Sequence, residues 1–183
     1  YMPKDASDKL PAIAVCGPFG AVKEQAAGLY AQTMAERGFL TVAFDPSYTG
    51  ESGGEPRYVV SPDINTEDFS AAVDFLATND MVDAEKIGII GICGWGGLAI
   101  NAAAADPRIK ATVASTMYDM SRVNANGYFD ADDSAEARNA LRKKLAAQRT
   151  EDFRNGFPKP GGGVPDTLPA DAPQFFKDYH AYY

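Results

Sequence analysis

A cysteine flanked by glycines lies between an apolar run and an alanine-rich stretch, where a nucleophile is expected. The run Ile87–Ile92 predicts a buried strand, Cys93 follows at once, and the helix predicted behind it points its first backbone N–H groups at the thiol. Those amides and the helix dipole favour the thiolate, the nucleophilic form of cysteine. A sharp strand-to-helix turn also needs small neighbours, which Gly91 and Gly94 supply. We therefore predict Cys93 as a nucleophile; the alternative is a small buried residue whose glycines only permit close packing.

The glycines do not fix the register of this turn. A nucleophile elbow reads G-x-nucleophile-x-G, but here Trp95 stands at the fifth position and the pair Gly96–Gly97 comes one residue later. Counting back from Gly97 puts Trp95 at the nucleophile position. Because tryptophan cannot act as a nucleophile there, this register predicts a binding or scaffold protein without an attacking group. With Cys93 at the turn, Trp95 is instead predicted as an apolar wall of the pocket. Both registers stay open on the sequence alone.

The loop after the first predicted strand is a candidate for binding an oxyanion. Since carboxyl ends of parallel strands meet at one edge of a sheet, the loop Gly17–Gly20 should approach the cysteine. Pro18 has no N–H, so we predict the N–H groups of Phe19 and Gly94 as the two oxyanion donors. Cys16 ends the same strand, and its sulfur is expected within about 10 Å of the other thiol, near enough to test for a disulfide.

Two other motifs compete with this interpretation. A literal G-x-S-x-G surrounds Ser52, but an apolar run and no helix follows it, so Ser52 is predicted as a loop residue near the mouth of the site. The stretch Gly94–Ala99 fits the nucleotide fingerprint G-x-G-x-x-A, with Asp119 somewhat beyond the ribose-binding position. That fingerprint would make a pyrophosphate pass beside Trp95 and begins only after two strand–helix units, so we expect no cofactor.

The elements that must hold these residues alternate between strand and helix. Four apolar runs alternate with helical patterns, which is typical of a parallel sheet covered by helices, and predicts an α/β fold with three α/β/α layers. The runs occupy residues 12–16, 39–44, 87–92 and 109–114. Beyond Ser115 the pattern is typical of a helical cap, with a charged helix at 132–148, a glycine-rich loop at 159–165 and an aromatic segment at 174–183. We assign residues 1–119 to the core and residues 120–183 to a cap or lid.

Charge and composition exclude several classes of function. The chain has 183 residues, with 17 Lys and Arg against 25 Asp and Glu, and a net charge of -8. Such a chain repels phosphates and anionic headgroups, so we expect no nucleic-acid and no membrane partner. Two cysteines and one histidine are too few for a zinc site, and we expect no metal. The absence of a cysteine framework and of a signal-peptide pattern favours the cytoplasm.

Five stretches, in this order along the chain, together resemble bacterial α/β-hydrolases related to dienelactone hydrolase. They are residues 22–25, 43–45, 50–57, 91–93 and 106–111. The resemblance implies an α/β-hydrolase fold and hydrolysis of an ester, thioester or lactone of a small-molecule acyl substrate through an acyl-enzyme. It carries the nucleophile onto Cys93 and the oxyanion donors onto Phe19 and Gly94.

The chain departs from that family in places that bear on the chemistry. Gly17 stands where dienelactone hydrolases have a Glu that partners the thiol. The family places its triad acid after a later strand and its His after the last one. We expect both groups in a further segment of sequence. Either that segment or an oligomeric partner is expected to complete the sheet. Asp119 is predicted at the pocket, either as an acid or as a helix cap or lid contact. His180 is predicted as a cap residue, with the catalytic base as its alternative role.

Overall fold

The computed structural model describes residues 1–4, 6–159, 161 and 167–182. Two compact units divide the chain, residues 1–141 and residues 142–183. The first unit contains the whole sheet and every residue of the predicted site. The predicted division into a core and a cap after residue 119 stays a prediction.

Strands and helices alternate through the first unit. The bounds are β1 Leu10–Cys16, α1 Ala26–Ala35, β2 Leu40–Ala43, α2 Pro62–Ala77, β3 Val82–Ile92, α3 Gly94–Ala105, β4 Ile109–Ser115 and α4 Met120–Asn126. A 3-10 turn at Tyr128–Asp130 follows, and then come α5 (Ala135–Asn155) and α6 (Gln174–Tyr182). Within the described ranges, no helix has both the length and the apolarity to cross a bilayer.

The four strands form one parallel sheet in the order β2-β1-β3-β4. Cys16 pairs with Gly91, and Ile92 pairs with Ser115. The ends of β1, β3 and β4 therefore lie side by side at one edge of the sheet, and the segments that follow them meet there. The predicted α/β fold with a parallel sheet is confirmed.

Helices cover both faces of this sheet because successive strand residues point to opposite sides. One face packs Ala14, Cys16 and Ile89 in a single buried cluster with Phe69 of α2 and Leu98 of α3. The opposite face forms a second cluster against α1. Its buried members are Ile13, Val15, Ala27, Ala31, Ile90 and Ile92. The site is thus supported from both sides of β3 by packed apolar layers.

Helix α2 begins at Pro62. Ser61 is its N-cap residue, and Pro62 occupies the first helical turn. The side chain of Asn65 is fully buried and accepts a hydrogen bond from the Ser61 N–H at 2.8 Å. Asn65 therefore reaches back over the helix start in the manner of a capping box.

Candidate active site

Cys93 lies at the apex of the turn between β3 and α3. It adopts φ 60 and ψ -126, a conformation that is strained for any residue with a side chain. Its N–H donates to the Ser115 carbonyl at 2.9 Å, and its own carbonyl accepts from the N–H groups of Gly96 at 3.0 Å and Tyr118 at 3.3 Å. Bonds from β4, from α3 and from the segment after β4 thus hold the strained residue in place.

Trp95 lies inside α3 and not at the apex of the turn. Of the two registers that the sequence allows, the structure therefore has the one with Cys93 at the apex. The indole is only 2% exposed. Phe19 and Phe69 pack against it edge to face, with ring centroids 5.9 Å and 6.0 Å away. Trp95 is therefore a core residue of the elbow, and its predicted contact with a ligand stays a prediction.

Three glycines in the first turn of α3 let two loops close over it. A Cβ atom on Gly94 would lie 2.6 Å from Cζ of Phe19, one on Gly96 would lie 2.9 Å from Cβ of Met117, and one on Gly97 would lie 2.9 Å from the Tyr118 carbonyl oxygen. Protein atoms thus fill the space in which a nucleotide fingerprint needs a pyrophosphate. The glycines serve packing between loops.

The loop that follows β1 reaches the elbow through the side chain of Phe19. Its ring covers the Cα of Gly94 and stands edge-on to Trp95. The structure therefore brings together the two residues predicted as oxyanion donors. Their roles as donors stay predictions.

The stretches at 22–25, 43–45 and 50–57 converge on one buried carboxylate, that of Asp45. It accepts hydrogen bonds from the Lys23 N–H at 2.7 Å, the Lys23 ammonium at 3.1 Å and the Glu51 N–H at 3.0 Å. Ser52 donates its hydroxyl to the Asp45 carbonyl at 2.7 Å, as a loop residue, and Arg57 donates to the Gly50 carbonyl at 2.7 Å. Burial raises the pKa of Asp45, but these donors outweigh burial and the net shift is downward.

The two thiols are both free and lie on opposite sides of the sheet. Cys16 is 1% exposed and belongs to the cluster on the α2 and α3 side, whereas Cys93 is half-buried and packs against the α1 side. The structure therefore contains no disulfide between them. Burial, and then the charge of Asp68, raise the pKa of the Cys16 thiol well above its usual value, so this sulfur stays protonated and unreactive.

Two tyrosines that the sequence did not indicate border the elbow. Thr116 has φ 46 and turns the chain after β4, and the rings of Tyr118 and Tyr128 meet edge to face at 6.2 Å. Burial raises the pKa of Tyr128, and the charges of Tyr118 and Cys93 raise it further, so the phenol stays uncharged. No motif identifies these tyrosines, because a segment with little apolar periodicity carries them.

Asp119 acts as the N-cap of α4. Its carboxylate accepts from the Ser121 hydroxyl at 2.6 Å and from the Arg122 N–H at 3.0 Å, and these bonds lower the pKa of Asp119. This is the capping alternative foreseen from the sequence, and a pocket role stays a prediction. His180 lies in α6, in the second unit. Across the part of the chain that the structure describes, no cluster of His, Cys, Asp and Glu could hold a metal.

A family model covers most of the chain. Residues 1–157 match the model described as X-Pro dipeptidyl-peptidase (S15 family). The Pseudomonas aeruginosa protein PA2218, described as uncharacterised, is 59% identical over 184 residues, which is 100% of this chain and 49% of that protein. Its crystal structure has a TM-score of 0.91 at 58% identity and covers 100% of this chain and 57% of the crystallised one. The chain thus spans about half the length of the curated relatives it matches.

Two further similarities concern proteins named for hydrolytic chemistry. The thiohydrolase aneE of Aspergillus aculeatus is 38% identical over 100 residues, covering 55% of this chain and 31% of that enzyme. The crystal structure of a putative dienelactone hydrolase from Klebsiella pneumoniae has a TM-score of 0.53 at 25% identity and covers 63% of this chain and 52% of its own. The resemblance to α/β-hydrolases of the dienelactone hydrolase type is confirmed.

Proposed function

We propose a reaction for this chain from its family, because it belongs to the X-Pro dipeptidyl-peptidase (S15) family, which is of the α/β-hydrolase type. In the proposal, Cys93 attacks the acyl carbon of an ester, thioester or lactone and forms an acyl-enzyme. A thioester is the substrate we favour. The chain spans about half the length of its curated relatives, so the activity of a longer protein is part of the proposal.

The proposed acylation uses one thiol and two backbone amides of the chain. Cys93 gives up its thiol proton to solvent, the resulting thiolate sulfur forms a bond to the carbonyl carbon, and the N–H groups of Phe19 and Gly94 bind the oxyanion that develops. The bond to the leaving sulfur then breaks, and the departing thiolate takes a proton from solvent. Water later cleaves the acyl–sulfur bond, which releases the acid and restores the thiol. The contact of the Phe19 ring with Gly94 supports this assignment because it holds the two donors near one another.

The observation that carries the proposal is the backbone of Cys93. A residue other than glycine held at φ 60 between a buried strand and a helix N-terminus costs stability, and such strain clusters at active sites. A thioester suits this nucleophile because exchange of one thiol for another keeps the energies of reactant and acyl-enzyme similar. The similarity to a protein named thiohydrolase supports the same preference.

The experiment measures thiol release from an activated acetyl thioester by the 183-residue chain under single-turnover conditions. The proposal predicts a burst of about one thiol per chain, lost in Cys93→Ala and kept in the matched variant Cys16→Ala. A folded wild-type chain that gives no burst, or a burst that persists in Cys93→Ala, would contradict it. The first of these results favours the alternative function, a hydrolase-like binding or scaffold protein.

A further inference from the structure

We infer that helix α5 of one copy of this chain binds helix α2 of a second copy through complementary charges and apolar side chains. The inference goes beyond the proposed acylation and does not depend on it. The surface on α5 is called the basic stripe and comprises Arg142, Leu145, Arg149 and Phe153. The surface on α2 is called the acidic stripe and comprises Ile64, Glu67, Ala71 and Asp74.

Helix α5 has no buried face. All 21 of its residues lie in the described part of the chain, and none of them is buried. Most of the stability of helices in proteins comes from the packing of an apolar side. Leu145 is 58% exposed and Phe153 is 89% exposed, so α5 offers apolar surface that a partner would cover.

The basic stripe carries positive charge on an acidic chain. Arg142 and Arg149 lie seven residues apart, which is about two helical turns, so they share one side of α5 with Leu145 between them. Both arginines are exposed, and neither forms an ion pair with another described residue. A chain with a net charge of -8 repels a second copy over most of its surface, and the basic stripe is where two copies attract instead.

The acidic stripe repeats the spacing of the basic stripe with the opposite charge. Glu67 and Asp74 also lie seven residues apart, about 10.5 Å along the axis of α2, and Ala71 lies between them. Glu67 is exposed and forms no ion pair within the described ranges. Asp74 accepts a hydrogen bond from Arg108, yet its side chain is still 64% exposed. Ile64, which is 41% exposed, extends the stripe toward the start of α2.

Antiparallel packing of the two helices aligns both charged pairs at once. With Glu67 opposite Arg149, the equal spacing of the stripes sets Asp74 opposite Arg142. A carboxylate and a guanidinium group combine an ion pair with parallel hydrogen bonds, so each pair also fixes the register. The antiparallel direction brings opposite ends of the two helix dipoles together.

The same register brings the apolar residues of the stripes together. Ala71 falls opposite Leu145, and its small side chain leaves space for the leucine. Ile64 falls within one residue of the position opposite Phe153. These contacts matter because exposed ion pairs alone contribute little, whereas apolar neighbours exclude water from them. A second copy of this chain is therefore the partner that fits the basic stripe.

The experiment measures self-association of the 183-residue chain by sedimentation equilibrium in about 0.15 M salt, where charges more than about 8 Å apart are screened. We expect the average mass to rise with concentration above the 19.5 kDa of one chain. Arg149→Glu sets a carboxylate against Glu67 and should weaken the association at least about tenfold. Lys143→Glu is the matched control, because it makes the same change of charge on an exposed residue that points about 100° away from Arg142 around α5. It should keep the wild-type dissociation constant.

An exchange of the two charges separates loss of docking from misfolding. Glu67→Arg alone should weaken the association as Arg149→Glu does. A chain that carries both substitutions should regain the lost affinity, because each arginine again meets a carboxylate. A wild-type dissociation constant above about 1 mM, an equal loss in Lys143→Glu, or no recovery in the double variant would overturn the docking of α5 on α2. None of these results bears on the acylation of Cys93.

Discussion

Alanine at Gly94 is predicted to disturb the site through Phe19. The added Cβ would lie 2.6 Å from Cζ and 2.7 Å from Cδ2 of that ring, well inside van der Waals contact. The ring must move, and the loop that bears the predicted oxyanion donor moves with it. Overpacking of this kind costs about 1–3 kcal/mol, of which the better helix propensity of alanine returns about 1 kcal/mol.

The expected effect on acylation is larger than the effect on stability. Losing the alignment of one oxyanion donor costs about 100-fold to 1,000-fold in rate. We expect Gly94→Ala to slow the thiol burst by about 100-fold while the free energy of unfolding in urea falls by about 2 kcal/mol or less. Gly53→Ala is the control, because its Cβ meets no atom within 4 Å and its φ lies outside the left-handed region. It should leave both quantities unchanged.

A double-mutant cycle tests whether Phe19 transmits the effect. In a Phe19→Ala background there is space for the new Cβ, so Gly94→Ala should cost less stability there than in the wild-type background. We expect the two costs to differ by at least about 1 kcal/mol. An equal loss in both backgrounds would refute the steric reasoning. A burst in Gly94→Ala as fast as in the wild-type chain would refute the role of the loop.

Three further predictions concern stability. The free energy of unfolding of Cys93→Gly should exceed that of Cys93→Ala by about 1 kcal/mol, because glycine relieves the strain of φ 60. Equal urea midpoints for the two variants would contradict this. The hydrogen bonds from Arg108 lower the pKa of Asp106 from 3.8 to about 2, so the stability they provide is present above pH 4 and is lost as the pH falls from about 4 to 2. Asp106→Asn should therefore lower the free energy of unfolding by about 2 kcal/mol at pH 7 and leave it unchanged below pH 2. Urea titrations that show the same loss of stability at both pH values would contradict this dependence on the charge of Asp106. Lys23→Met should lower the melting temperature more than Lys86→Met, because the Lys23 ammonium partners the buried Asp45 carboxylate at 3.1 Å whereas Lys86 is exposed.

The fold was predictable because its signals are local. Each buried strand is a short apolar run, and helices with an apolar face separate the runs, so the order of elements follows from periodicity. Helix α4 and the 3-10 turn carry no such stripe and depend on polar contacts such as those of Asp119 and Arg122. Pattern alone therefore does not find them.

The site was predictable only as far as the elbow. The strand, the cysteine and the glycines identified the turn, but its register depended on what each glycine contacts. Gly96 makes room for Met117 and Gly97 for Tyr118, residues about twenty positions further along the chain. The separation of the two thiols likewise depends on which face Cys16 takes, and strand pairing, not spacing, decides it.

The measurement that tests the central claim most directly is a peptide map of the acid-quenched chain after a brief exposure to a benzoyl thioester. The account predicts the acyl group on the peptide that contains Cys93 and an unmodified Cys16, with both sulfurs modified only once the chain is unfolded in urea. Acylation of Cys16 in the folded chain, or a folded chain that carries no acyl group on Cys93, would contradict it.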